Sequence, residues 1–190
     1  MTSAVISHRA LPRSGVVSIL LVVAAATLTA LAAQWRIHLP FTPVPITGQT
    51  FAVLLTGAAL GWKLGAGGQT LYLAIGALGA PVFSDASGGI AVFTGATGGY
   101  LIGFVFAAAV VGWMAEHRQD RTFPTMFTAF MLGSAVIYVF GVGGLMTFAG
   151  LSFSGAVAAG VVPFLLGDLI KASAAGLVLP GAWKLLGGER

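Results

Sequence analysis

Cysteine is absent from the 190 residues, and charge is scarce: Asp, Glu, Lys and Arg make up 7% of the chain against 57% hydrophobic residues. The missing thiols exclude disulfides, thiolate nucleophiles and cysteine-held metals, and they leave the compartment open. The scarcity of charge restricts more. A soluble domain carries about 25% charged residues, so this chain lacks the side chains to cover itself with a wetted surface. It reads as an integral membrane protein. A spanning helix takes about 20 residues, which allows about six helices with short connections. They form one domain, residues 1–190, with no room for a soluble catalytic module.

Other absences narrow the function. No basic patch interleaved with aromatics accompanies the net charge of +4, so nucleic acid is not an expected partner. There is no GxxxxGK[ST] loop, so the chain does not hydrolyse ATP by that route. Transport would then draw on a partner, an ion gradient or the ligand's own gradient. His8, His38 and His117 all fall outside the apolar runs. A Ser–His pair therefore cannot form at membrane depth, and an intramembrane hydrolase finds no nucleophile beside a base. No catalytic residue, metal or cofactor is expected.

What the chain does have is apolar runs. Residues 16–33, 46–64, 66–78, 98–115, 124–148 and 163–186 are six candidate spans. The predicted fold is all-α: a polytopic bundle of six transmembrane helices with extracytoplasmic lid loops. The first run follows basic residues, as in a signal peptide, but its length exceeds a signal h-region and it is read as a retained helix. The second and third nearly touch at "GWKLGAGG". The segment "AGLSFSGAVAAGVV" before the last run is read as a loop or surface helix. In this six-span arrangement Arg9, Arg13, Lys63, Arg118, Arg121, Lys184 and Arg190 fall on one side and only Arg36 on the other. The positive-inside rule then places both termini in the cytoplasm of a multi-pass protein of the cytoplasmic membrane.

The outer segments 34–45, 81–97 and 149–162 are too apolar for solvated linkers. "HLPFTPVPITGQT" carries three prolines in six residues, so its backbone is stiff and extended. These segments either fold back as lids over a cavity, where non-helical backbone is tolerated, or pack as ordinary loops.

Within the last run stand Asp168 and Lys171. Each such side chain at the centre of a span costs roughly 2.5–3.5 kcal/mol, yet two occur at i and i+3, on one helix face. Two readings stay open. The pair neutralises itself and clamps a neighbouring helix, or it presents one acceptor and one donor to a small polar ligand such as a urea or amide. In a dry pocket each of those hydrogen bonds counts for more than in water.

Four segments in order, "PVPITGQTFAVLLTGAALG" (43–61), "LGAPVF" with "SGG", "TGATGGYLIGF" (94–104) and "GDLIKA" (167–172), resemble the BioY family. These are the biotin-binding S components of energy-coupling factor (ECF) transporters, and the similarity runs from the first helix to the last. The resemblance implies a six-helix protein that captures biotin from outside, beneath the first and third connections. It places Asp168 and Lys171 at the biotin headgroup, with Asp168 accepting the ureido N–H groups and Lys171 donating to the carbonyl. Ser87 of "DASGG" matches a ligand-facing position. Tyr100 and Phe93, with Phe83, are candidate walls for the bicyclic ring or else packing aromatics. Gln49 touches ligand, orients a lid, or bonds a neighbouring helix. Asp85 is expected in solvent.

Some relatives carry a basic residue directly after "GGY", suited to the carboxylate, where this chain has Leu101. The carboxylate is then expected on neutral donors, namely the Ser87 hydroxyl and backbone N–H groups near Gly88 and Gly89, and dethiobiotin or an analogue stays open as ligand. The resemblance also implies a transmembrane coupling (T) subunit and two cytoplasmic ATPases as partners within the lipid bilayer. Ala26 and Ala30, four apart on the first helix beside Thr29 and Ala33, either dock that subunit or pack within the bundle, as small-xxx-small faces do. A self-sufficient ion-coupled or facilitative carrier is the rival reading.

Overall fold

The computed structural model describes residues 5–12 and 14–186, and of His8 and Arg9 the backbone alone. Arg13 and Arg190, counted above among the cytoplasmic cations, lie outside it. A backbone surrounded by lipid has to bond its own N–H and C=O groups, and the apolar runs do so as helices. The described chain folds as α1 (Ile6–Ala10), α2 (Gly15–Gln34), α3 (Gln49–Leu60), α4 (Trp62–Ala77), α5 (Gly98–Glu116), α6 (Phe123–Phe148), α7 (Phe153–Gly160) and α8 (Leu165–Leu185). Ser14 starts α2, its hydroxyl accepting the Val17 N–H at 3.2 Å, as N-cap residues do.

Four stretches are long and apolar enough to cross a membrane: Gly15–Gln34, Gly98–Glu116, Phe123–Phe148 and Phe153–Leu185, the last running through α7 and α8. The helices α3 and α4, with 12 and 16 residues, extend roughly 18 and 24 Å. Both fall short of the ~30 Å hydrocarbon thickness.

The second expected run, 46–64, is where the structure departs most. Pro43 and Pro45 keep the backbone extended, and Ile46–Thr47 (β2) pairs antiparallel with Arg36–Ile37 (β1). The helix therefore begins only at Gln49. It ends before Gly61, whose φ of +84° only glycine adopts freely, and α4 starts at the next residue. Glu116, at the end of α5, accepts the Trp62 N–H at 3.2 Å, and a carboxylate there suits the positive end of the α4 dipole. The segment before the last run contains the short helix α7. Pro163 lies in a 3-10 turn, Val162–Phe164, which leads into α8.

Helix α5 is central. It packs against α3, α4 and α6, while α2 lies on α3 and α4, and α8 on α6. The α5–α6 contact is close because of Gly99: a Cβ there would lie 2.2 Å from the Phe140 carbonyl oxygen. Small residues let helices approach this closely in a membrane.

Away from the α2–α3 and α4–α5 connections, the α5–α6 loop holds a buried charge. Asp120 is fully buried, accepts the indole N–H of Trp183 on α8 and pairs with Arg121 at 3.1 Å. The Arg121 guanidinium lies 3.3 Å from the Trp183 ring centre, a cation–π arrangement. Burial pushes the Asp120 carboxyl above its ordinary value, against the opposing pull of Trp183 and Arg121.

Candidate functional site

One turn of α8 directs Asp168 and Lys171 toward α6 and α3. Asp168 is only 3% exposed, and its Oδ2 accepts the hydroxyl of Tyr138 on α6. Lys171 Nζ donates to the Thr50 hydroxyl on α3 at 2.6 Å and to the Thr47 carbonyl at 3.2 Å. The two charges face each other at 3.6 Å, beyond the usual N–H···O range. They are neighbours without a closed mutual hydrogen bond, each held by another helix.

Both line a cavity of about 330 Å³ between α3, α5, α6, α8 and the α2–α3 and α4–α5 connections, within the range of small-ligand sites. The far end, with Asp168, is buried. The other end reaches the surface at His38 and Asp85, whose side chains are 61% and 48% exposed. Between the ends the wall is mainly apolar, with Leu101, Phe104, Ile137 and Phe164. Such a cavity suits an elongated ligand with one polar end inside and a second near the mouth.

Among the expected site residues, Asp168, Lys171, Ser87, Tyr100 and Gln49 stand on this wall. Most have local tasks as well. Gln49 donates to the Tyr72 hydroxyl at 2.8 Å and accepts from Thr47 at 3.1 Å. Tyr100 donates to the Gly160 carbonyl at 2.8 Å, fastening α5 to the end of α7. The Ser87 hydroxyl donates to the Ser84 carbonyl at 2.6 Å, and the Gly89 N–H to the Gly76 carbonyl at 2.7 Å. Two of the neutral donors expected to hold a carboxylate are thus engaged within the chain. Phe93 does not line the cavity. It packs edge-on behind Phe83, ring centres 5.7 Å apart, and Phe83 forms the wall in its place.

Asp85 is exposed, as a solvated loop residue would be, and it also pairs with Arg36 and with His38 of the α2–α3 connection. Tyr138, Thr50 and His38 were not anticipated at all. A lone Tyr inside the apolar run 124–148 and the Thr of "TGQT" were the available signals.

Of the two readings of the small residues on the first helix, packing within the bundle is seen at Ala26. Ala26 is 4% exposed and belongs to the core, Ala30 is half-buried, and Ala25 packs on Gly68 of α4. Ala26 is thus packed inside the bundle. Ala26→Trp is therefore expected to lower thermal stability, since overpacking a filled interior costs about 1–3 kcal/mol. Melting in detergent beside Ala24→Trp, at an exposed position, measures it, and equal melting of the two variants would contradict the packing.

Comparison with known proteins places this geometry. The model of the BioY family matches residues 4–188. The chain is 40% identical over 161 residues to "Biotin transporter BioY" of Rhizobium etli, covering 81% of this chain and 86% of that protein. It is 37% identical over 170 residues to "Biotin transporter BioY" of Thermotoga maritima, covering 90% and 93%. The fold is similar to the crystal structure of the S-component for biotin from an ECF-type ABC transporter. There the TM-score is 0.81 at 23% identity, over 91% of this chain and 95% of that one.

Proposed function

The chain belongs to the BioY family, and from that premise we propose that it captures biotin at the outer face of the cytoplasmic membrane as the substrate-binding subunit of an ECF-type transporter. It is a transport protein and not an enzyme. ATP energy comes from partners, a transmembrane coupling subunit and two cytoplasmic ATPases. In this reading α2, α3, α4, α5, α6 and α8 make six crossings. The shorter α3 and α4 are completed by the extended segments that flank them, the outer connections act as lids, and both termini face the cytoplasm.

The observation that carries the proposal is the buried end of the cavity. Biotin's ureido ring offers two N–H donors beside one carbonyl. Asp168 Oδ1 has acceptor capacity left after Oδ2 is taken by Tyr138. Lys171 has three N–H donors, of which Thr50 and Thr47 use two. The Oδ1 edge and the remaining ammonium donor, which face each other at 3.6 Å, complement the ureido group, and the apolar wall complements the rest of the ligand.

Calorimetric titration of the purified protein tests the reading. Biotin is expected to give a saturable heat, and thiamine and riboflavin none. Saturable heat from either of the other vitamins, with none from biotin, would overturn it.

A further inference from the structure

The mouth of the cavity answers a question left by Leu101. Leu101 is buried on the cavity wall, so the position after "GGY" offers a carboxylate only apolar contact. The Ser87 hydroxyl and the Gly89 N–H are committed to backbone carbonyls. Among the described residues, the wall holds two side chains able to carry positive charge, Lys171 at the buried end and His38 at the mouth. His38 does not stand alone. Its Nε2 donates to Asp85 Oδ2 at 3.1 Å, and Arg36 Nε pairs with Oδ1 of the same carboxylate. Asp85 is brought there by a tight turn in which it and Ala86 both have positive φ, 63° and 50°, a conformation uncommon outside glycine.

A carboxylate held by an Arg and a His at the exposed end of a largely apolar cavity is a bound anion supplied by the chain itself. Resting on the biotin reading above, we propose that Arg36 and His38 form the subsite for the ligand's carboxylate, and that Asp85 is the internal carboxylate that the ligand's own displaces. With the ureido ring at Asp168, the apolar tail runs past Leu101 and Phe104 and its charged end emerges at His38. Arg36 and His38 belong to the α2–α3 connection and Asp85 to the α4–α5 connection. The exchange therefore converts a contact between two outer segments into a contact between one of them and the ligand. Charge-assisted hydrogen bonds of this kind are roughly twice as strong as neutral ones. That strength lets the subsite select the free acid over a neutral derivative.

The test uses biotin and biotin methyl ester, which keeps ring and tail and lacks the charge. Both are titrated calorimetrically into the wild-type protein, Asp85→Asn and His38→Ala. The wild type is expected to prefer biotin by about tenfold, corresponding to about 1.4 kcal/mol. Asp85→Asn, freed of the internal competitor, widens that preference several-fold, and His38→Ala narrows it. If the wild type binds biotin but the ratio is the same in all three proteins, the assignment fails and the headgroup reading stands. A parallel loss of both ligands in Asp85→Asn also overturns it, because the ion pair then only holds the outer segments together. A wild type that binds neither ligand removes the biotin reading itself, and this assignment with it.

Discussion

Replacing Asp168 by Asn is expected to weaken biotin binding on the order of ten- to a hundredfold, with the purified protein still folded and monodisperse. A hydrogen bond to a charged group contributes about 1.5–3 kcal/mol, and each 1.4 kcal/mol is a factor of ten in affinity. Asn preserves the side-chain volume and keeps an oxygen to accept from Tyr138. The other edge changes from a carboxylate oxygen to an NH₂ group, which meets the ureido N–H groups donor to donor. Folding survives because Lys171 stays bonded to Thr50 and Thr47, so its position does not depend on the carboxylate 3.6 Å away. Tyr138→Phe serves as the comparison: it removes the hydroxyl that orients Asp168 and keeps the carboxylate, and a smaller loss is expected. Calorimetry on both variants decides the matter. Unchanged affinity in folded Asp168→Asn would assign the pair to helix packing and leave the cavity without a headgroup site.

The helices and this charged pair were legible because both are violations of a uniform background. Long apolar runs stand out from turns rich in Gly and Pro, and a carboxylate and an ammonium inside such a run stand out more. The strand pair was not legible. Ile46 and Thr47 look like the first residues of an apolar helix, and only pairing with Arg36 and Ile37 makes them extended. The partners of the charged pair were hidden by distance along the chain: Tyr138 is 30 residues from Asp168, and Thr50 is 121 from Lys171. Side-chain direction in an irregular loop is equally silent, so the sequence points to Phe93 on the wall that Phe83 provides, and gives no sign that the exposed Asp85 pairs with Arg36. For Ala26 the difficulty was redundancy. An Ala-rich helix shows small-residue spacing on several faces, and spacing alone does not say which one meets α4.

At the opposite end from the mouth of the cavity, Asp120→Ala is expected to cost about 3 kcal/mol or more, the range found when one partner of a buried ion pair is removed. The substitution leaves the Trp183 indole N–H without its acceptor and takes the carboxylate away from Arg121, which lies against the same ring. The residue joins the α5–α6 loop to the end of α8, so the loss reaches the helix that carries Asp168. Breaking the pair and possessing it are different quantities. Burial raises the Asp120 carboxyl above its ordinary value, so the native state holds that proton more tightly than the unfolded chain does. The stability linked to its titration is present below the ordinary carboxylate value and is lost as pH rises through the raised one. An ionised carboxylate at this place is therefore expensive, and the pair as a whole contributes little net stability. It follows that a double variant, Asp120→Leu with Arg121→Leu, is expected to recover much of what Asp120→Ala loses, because neither charge is then left in the interior. Thermal melting of the two variants and the wild type in one detergent checks this. A double variant less stable than Asp120→Ala would mean that Arg121 acts on the fold through contacts other than this carboxylate.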